Sequence, residues 1–302
     1  HECSSAASDV YKRQTLFMKF NLNNYLLVLF FIAHVNLSGQ DEVFKKELID
    51  NMIYAIENHH QLEFEMQRNE RNKKGFTDGK FYAKLKTSPF MVYLKNERPR
   101  KGSEILYIDG ENNNKALINP NFFPYINISL NPESSLMLAG GHHSIKEIGF
   151  HFINNSFKYY KNTYGDVLYK ITDYEGLYEW NNRSCHKIIV NYPNYEKLKY
   201  RAQEGETLYK IARKKLINVG KLREYNPGID SNEELKKDQI IVINSLYAKK
   251  AIIFIDSENY FPIYQMIYDE EGLYEKYSFS NLNINCVFKD EEFTKAYEDY
   301  DF

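Results

Sequence analysis

Along residues 41–58 the apolar side chains Val43, Phe44, Leu48, Met52, Ile53 and Ile56 recur at helical spacing, with polar residues between them. This predicts an amphipathic helix with one face for a core. The period then changes. Leu62, Phe64 and Met66, then Phe81, Ala83 and Leu85, then Met91 and Tyr93 with Lys95 in step, alternate with their neighbours. Alternation of this kind marks successive half-buried strands. Glu104–Asp109 and Lys115–Asn119 flank Gly110-Glu111-Asn112-Asn113-Asn114, a pattern that predicts a hairpin with a wet tip.

Asn131-Pro132 introduces a short helix predicted over Glu133–Ala139 and closed by Gly140-Gly141, and Ser144–Phe152 reads as a second helix or helical turn. Strands are expected again at Tyr164–Tyr174, Leu177–Trp180 and Cys185–Val190. After a distinct insert they resume at Ala251–Ile255, Ile263–Asp269 and Leu273–Phe279, with Glu270-Glu271-Gly272 turning between the last two. Strands on the two sides of the insert match in length and character. The insert is therefore expected to interrupt a surface loop of one β domain rather than to separate two domains.

The insert runs from Tyr200 to Ile243. Tyr200–Gln203 predicts a short strand broken at Gly205. Thr207 is placed to cap a helix whose Leu208, Ile211 and Ala212 share one face. Asn218 starts a second helix that turns Val219 and Leu222 inward and ends at Asn226-Pro227-Gly228. Ile241 and Ile243 alternate in a closing strand, expected antiparallel to the first. The run Gly205-Glu206-Thr207-Leu208-Tyr209-Lys210-Ile211-Ala212, then Leu222, Asn226-Pro227-Gly228, Leu235 and Gln239–Ile243, resembles a LysM domain. Asp238, where that family usually has glycine, and Asn244, where proline often follows the last strand, depart from its pattern. The resemblance implies binding of N-acetylglucosamine-containing glycan, either peptidoglycan or a chitin-like chain. It places Gly205, Thr207 and Leu208 on one wall of a groove and Asn226, Pro227, Gly228 and Ile229 on the other. A spacer that has lost its ligand is the alternative.

Composition narrows the classes. The 302 residues hold 39 Lys+Arg against 41 Asp+Glu, and aromatics reach 16%, with 26 Tyr and 20 Phe, which favours a β-rich folded chain over a disordered one. No Lys/Arg block stands out, which argues against nucleic acid and acidic membrane surfaces as partners. From Met18, a basic Lys19, an apolar run Tyr25–Val35 and small residues Ser38 and Gly39 have the layout of a secretory signal peptide over 18–39, with cleavage expected after Gly39. That apolar run is too short to span a bilayer. Residues 1–17 match no targeting pattern and are read as a non-native leader. Setting Cys3 aside with them leaves Cys185 and Cys286, which in an oxidising compartment either form a disulfide or stay as two separate thiols.

Outside the insert, the stretches PFMVYLKN, EILYIDGENNNKALINP, SLMLAGGHHSIKEIG, GLYEKYSFSNLNIN and EEFTKAYEDYDF resemble a family of uncharacterised exported proteins of Gram-negative envelopes, similar in expected shape to the lipoprotein carrier LolA. The resemblance implies a discontinuous β domain over 40–198 and 246–302 around a LysM module at 199–245. The expected fold class is α+β, a curved antiparallel half-barrel sheet with packed helices plus an inserted β-α-α-β module. Its concave apolar face would hold a lipid or lipoprotein in the periplasm or cell envelope, or would be filled by its own helices.

Candidate chemistry is sparse. On a continuous helix His143, Glu147 and His151 would fall at i, i+4 and i+8, a weak metal-binding spacing beside His142. Cys185 and His186 are neighbours on a strand and point to opposite faces, so they make no nucleophile and base pair. No GxSxG elbow, phosphate-cradling glycine loop or CxxC occurs. No catalytic residue, cofactor or metal is assigned, and the expectation is a non-enzymatic binding protein. An enzyme acting on cell-wall glycan and a scaffold without ligand are the competing readings.

Overall fold

The computed structural model describes residues 41–138 and 141–302. The expected leader and signal peptide, and Ala139 and Gly140 at the end of the helix expected over Glu133–Ala139, lie outside the described residues. The chain divides into a first unit ending at Leu48 and a second, Ile49–Phe302, which holds every strand among the described residues. A helix, α1, covers 41–58. Within the second unit it buries Ile49, Met52, Ile53 and Ile56, whereas Val43 of the expected apolar face is exposed.

The main sheet has eleven strands. They are β1 (Gln61–Asn72), β2 (Gly75–Thr87), β3 (Phe90–Arg98), β4 (Glu104–Ile108), β5 (Ala116–Asn119), β6 (Ile128–Leu130), β7 (Thr172–Trp180), β8 (Arg183–Asn191), β11 (Lys250–Asp256), β12 (Pro262–Asp269) and β13 (Gly272–Asn283). Their order is β6-β5-β4-β3-β2-β1-β13-β12-β11-β8-β7, so the sheet is curved and open, with β6 and β7 at its edges. All neighbours are antiparallel. The alternation read from the sequence sets the register: Leu62, Phe64 and Met66 face Leu85, Ala83 and Phe81 across β1 and β2, and all six are buried. A one-residue slip would turn this whole set to the other face.

One face of the sheet packs against helices. Between β6 and β7 lie α2 (Ser135–Leu138), a 3-10 turn at Ile145–Glu147, α3 (His151–Tyr164) and α4 (Val167–Lys170). Of the helix or helical turn expected over Ser144–Phe152, the chain forms the turn, at Ile145–Glu147, and the strand expected from Tyr164 begins at Thr172. Ile153, Phe157 and Tyr160 recur at i, i+4 and i+7 and are buried, and this packing holds residues 151–164 helical. Gly149 makes the approach to the sheet: its φ is +83°, and a Cβ there would lie 2.8 Å from Leu85 Cδ2. Phe150 then wedges between Phe279, with ring centroids 4.2 Å apart, and Phe261 at 4.9 Å. On β3 and β4 the C-terminal segment covers Tyr93 and Leu106 with Phe288 and Phe293, and Tyr300 stacks on Tyr93 at 3.6 Å.

Between β8 and β11 the chain forms β9 (Lys197–Arg201), α5 (Leu208–Lys215), α6 (Val219–Tyr225) and β10 (Ile240–Asn244). β9 and β10 pair antiparallel as a separate two-stranded sheet. β8 and β11 pair directly with each other. Tyr192 N donates to Lys249 O at 2.9 Å and Ser245 N to Glu196 O at 2.9 Å, so entry and exit run side by side. Leu208, Ile211, Leu222, Ile241 and Ile243 form the core of this unit, completed by Leu138 from α2.

Candidate functional site

A cavity of about 200 Å³ lies between the sheet and α3. Met66, Phe81, Leu94, Ile253, Ile267 and Phe279 supply its sheet wall, and Ile148, Phe152, Ile153 and Phe157 its helical wall. These residues come from strands distant in sequence, and each faces inward by the same two-residue alternation. Lys215 and Leu216 at the end of α5, and Leu246–Ala248 after β10, complete the lining. The β-α-α-β unit thus contributes to the cavity.

One end of the cavity is polar, with Arg68, Glu70, His143, Glu147, Tyr247 and Tyr277. It opens onto a buried ionic seam. Glu70 on β1 and Glu275 on β13 stand directly opposite each other, 2% and 0% exposed. Two like charges so placed repel and need partners. Glu275 accepts from His142 Nδ1 at 2.7 Å, Asn218 Nδ2 at 2.5 Å and the Tyr247 hydroxyl. Glu70 accepts from Arg68 at 3.0 Å, the Tyr277 hydroxyl at 2.8 Å and His142 N at 3.3 Å. Further along the seam, buried Lys221 of α6 and Arg71 of β1 both pair with Asp269. Asn218 and Lys221 belong to the β-α-α-β unit, which thus supplies a hydrogen-bond donor to Glu275 and a neutralising charge to Asp269 of the main sheet.

His143 stacks its bonds at the cavity end: Nδ1 meets Glu147 at 3.3 Å and Nε2 meets the Tyr247 hydroxyl at 3.0 Å. Burial alone would lower its pKa, but the Glu275 and Glu147 carboxylates together raise it to about 10. Burial works against ionised Glu147 as well, yet His143 and Arg213 hold its carboxyl below the usual range. Glu275 is likewise held low by His143 and His142 against its own burial. The pattern is one of ion pairs that keep each other charged.

His151, the third member of the suggested metal set, begins α3 beside His60, and burial lowers its pKa. The 3-10 turn and Gly149 break the continuous helix that the i, i+4, i+8 spacing required. Among the described residues no group of three His, Cys, Asp or Glu is arranged to hold a metal ion. Cys185 and Cys286 are free thiols, not a disulfide: Cys185 is buried on β8 opposite Asp256, and Cys286 packs beside the Tyr93 cluster.

The residues proposed for glycan binding divide into two groups. Thr207 and Leu208 are buried, and Thr207 Oγ1 caps α5 by accepting from Lys210 N at 3.1 Å. Asn226 is turned inward: its Nδ2 donates to Leu222 O at 2.8 Å and Val242 O at 2.7 Å, while Oδ1 accepts from Val242 N at 2.8 Å. Pro227 and Gly228 are exposed, and Gly205 and Ile229 half-buried. Tyr209 N donates to Ser231 O at 2.9 Å and Leu235 N to Glu206 O at 2.8 Å, drawing the loop into α5 beside the loop out of α6.

The cavity, with its aliphatic and aromatic walls, was not among the candidate residues read from the sequence. The period of Ile153, Phe157 and Tyr160 was the signal that could have located its helical wall.

Residues 59–223 match the model of a family described as a protein of unknown function, DUF1571. No curated protein matches the chain. Among solved structures, the lipoprotein LppX of Mycobacterium tuberculosis is 11% identical, with 81% of this chain and 97% of that chain covered and a TM-score of 0.39. A putative outer membrane lipoprotein-sorting protein domain from Vibrio parahaemolyticus is 9% identical, covering 82% and 95%, with a TM-score of 0.32. A LolA superfamily protein from Nitrosomonas europaea is 7% identical, covering 83% and 98%, with a TM-score of 0.30.

Proposed function

The chain belongs to the DUF1571 family, and from that premise, with the chemistry left to its own cavity, we propose that it is a non-enzymatic envelope protein that holds one acyl chain of a lipid or lipoprotein. The observation that carries this reading is the apolar cavity of about 200 Å³ between sheet and α3. Its volume is below the ~300–1,000 Å³ of pockets for drug-sized ligands and suits a single hydrocarbon chain. Each methylene buried there contributes roughly 0.8 kcal/mol. The polar groups at its end support binding over catalysis, because His143, Glu147, Glu70 and Glu275 are already bonded to one another or to neighbours.

The test is native mass spectrometry of protein isolated from a periplasmic extract, with dodecanoate as a defined probe in parallel. Wild-type protein is expected to carry acyl mass and to take up dodecanoate. Ile153→Trp, which fills the cavity from α3, is expected to do neither while melting normally. Equal uptake by the variant, or none by the wild type, removes the proposal.

A second reading concerns the β-α-α-β unit as a LysM-type glycan site. It is favoured by the bonded pair of loops that leaves Pro227 and Gly228 exposed beside Gly205. The measurement is retention on insoluble peptidoglycan. The wild type should be retained and Pro227→Glu released, and passage of the wild type through the pellet unbound ends this reading.

A further inference from the structure

Residues 121–129 are exposed without a break. They join β5 to the edge strand β6 and read Asn-Phe-Phe-Pro-Tyr-Ile-Asn-Ile-Ser. Phe123 is 82% exposed, Tyr125 68%, Ile126 61% and Phe122 54%. From Asn119 to Pro132 no charged residue interrupts the run, in a chain that is 26% charged. Single exposed apolar residues are ordinary, but a contiguous cluster marks an interaction surface. The loop is held in shape: Tyr125 N donates to Phe122 O at 2.7 Å, and Asn121 Nδ2 donates to Lys101 O at 3.1 Å.

That last bond ties the apolar loop to a basic turn. Arg98-Pro99-Arg100-Lys101 links β3 to β4 at the same end of the sheet, and the next turn at that end, between β1 and β2, presents Lys73, Lys74 and Phe76. Arg98 is paired with Asp78, Glu97 with Lys80, and Asp301 with Lys95. Lys73, Lys74, Arg100 and Lys101 are in no ion pair among the described residues. This end of β1–β6 therefore combines bulky aromatic and branched side chains with an excess of positive charge, in which Glu97 faces Lys80, Arg98 and Lys101 together. A protein partner would need a groove matched to each side chain. An anionic bilayer accepts both features without one, because aromatic rings settle at the headgroup level and basic residues are drawn to the negative surface.

We propose that the 121–128 loop, flanked by Arg100 and Lys101, docks this protein on an anionic lipid bilayer. The inference rests on the surface and stands whether or not the cavity holds an acyl chain. It is tested by co-sedimentation with vesicles of phosphatidylcholine alone or mixed with phosphatidylglycerol. The wild type is expected on the anionic vesicles, less so in high salt, where surface charge is screened. Phe123→Ser with Ile126→Ser should weaken partitioning at least about tenfold. Arg100→Glu with Lys101→Glu should weaken it about as much on anionic vesicles and leave the phosphatidylcholine background unchanged. Dodecanoate uptake should be unaltered in both variants. Failure of the wild type to bind anionic vesicles overturns the proposal, as does binding that neither pair of substitutions reduces. A wild-type dimer that Phe123→Ser with Ile126→Ser makes monomeric would also overturn it, by showing a second copy on the patch.

Discussion

Asn226 shows how one side chain carries a structural role that a motif does not reveal. Its amide joins the end of α6 to β10 through three hydrogen bonds of 2.7–2.8 Å, each with a backbone partner. Removing it strands Val242 O and the Val242 N–H, whereas Leu222 O still accepts from Asn226 N at 3.0 Å, and each buried group left unbonded costs ~1–3 kcal/mol. Asn226→Ala should therefore destabilise the β-α-α-β unit by ~2 kcal/mol or more. Asn226→Asp should do more harm, because a carboxylate cannot donate to Leu222 O and Val242 O. Hydrogen exchange at Ile241 and Val242 reports it, and unchanged protection in both variants would disprove the bridging role. Glu275 makes the same point at higher stakes. Glu275→Gln leaves a carboxamide facing His142, Asn218 and Tyr247, so a denaturant melt should lose ~3–5 kcal/mol. Neither role could be read from residue spacing, because both depend on partners that lie 16 and up to 133 positions away.

At the scale of elements, the patterns with period two were legible and the connections were not. The alternation at Leu62–Met66 and Phe81–Leu85 corresponds to β1 and β2 in register, and the Thr207 and Asn218 caps start α5 and α6. α3 was missed because its buried face is partly aromatic, and tyrosines at 160, 164, 169 and 174 suit a strand as readily as a helix. The cavity's residues were illegible for a related reason: its walls come from seven strands and from α3, and only the assembled sheet brings them together. The β-α-α-β unit gives the element-scale prediction. Its ends lie side by side, so replacing 197–244 by a short linker should preserve the far-UV signature of the sheet. The excision would nonetheless destabilise it, since Asn218 and Lys221 no longer reach Glu275 and Asp269. Glu275→Gln with Asp269→Asn should cost less in the shortened chain than in the full chain, because His142, Tyr247 and Arg71 still pair with these carboxylates in both but Asn218 and Lys221 only in the full chain. An equal cost in both backgrounds would refute the idea that α6 supports the carboxylates of the sheet.

For the whole molecule, the seam makes stability depend on pH in a window its groups define. His143 has a folded pKa near 10 against 6.5 in a free chain, so below pH 6.5 both states hold the proton and its ion pairs contribute fully. Between 6.5 and about 10 only the unfolded chain loses that proton, and stability falls by up to about 1.4 kcal/mol per pH unit. Glu147 and Glu275 act with the opposite sign. Their carboxyls are held below the usual 4.5, so their contribution is complete above that value and disappears as acid protonates them. Tyr247, Tyr274 and Tyr277, raised by burial and by Glu275, add an alkaline loss that begins only above pH 10. The three groups together place maximal stability between about pH 4.5 and 6.5, with a descending limb on the alkaline side that belongs to His143. Thermal midpoints measured from pH 4 to 10 should follow that profile. His143→Gln should lower the curve below about pH 10 and flatten it between 6.5 and 10, and should also shrink the acid limb, because His143 is the main charge that holds the Glu275 and Glu147 carboxyls low. A His143→Gln curve parallel to the wild type across that interval would show that His143 does not stay charged against Glu275 and Glu147.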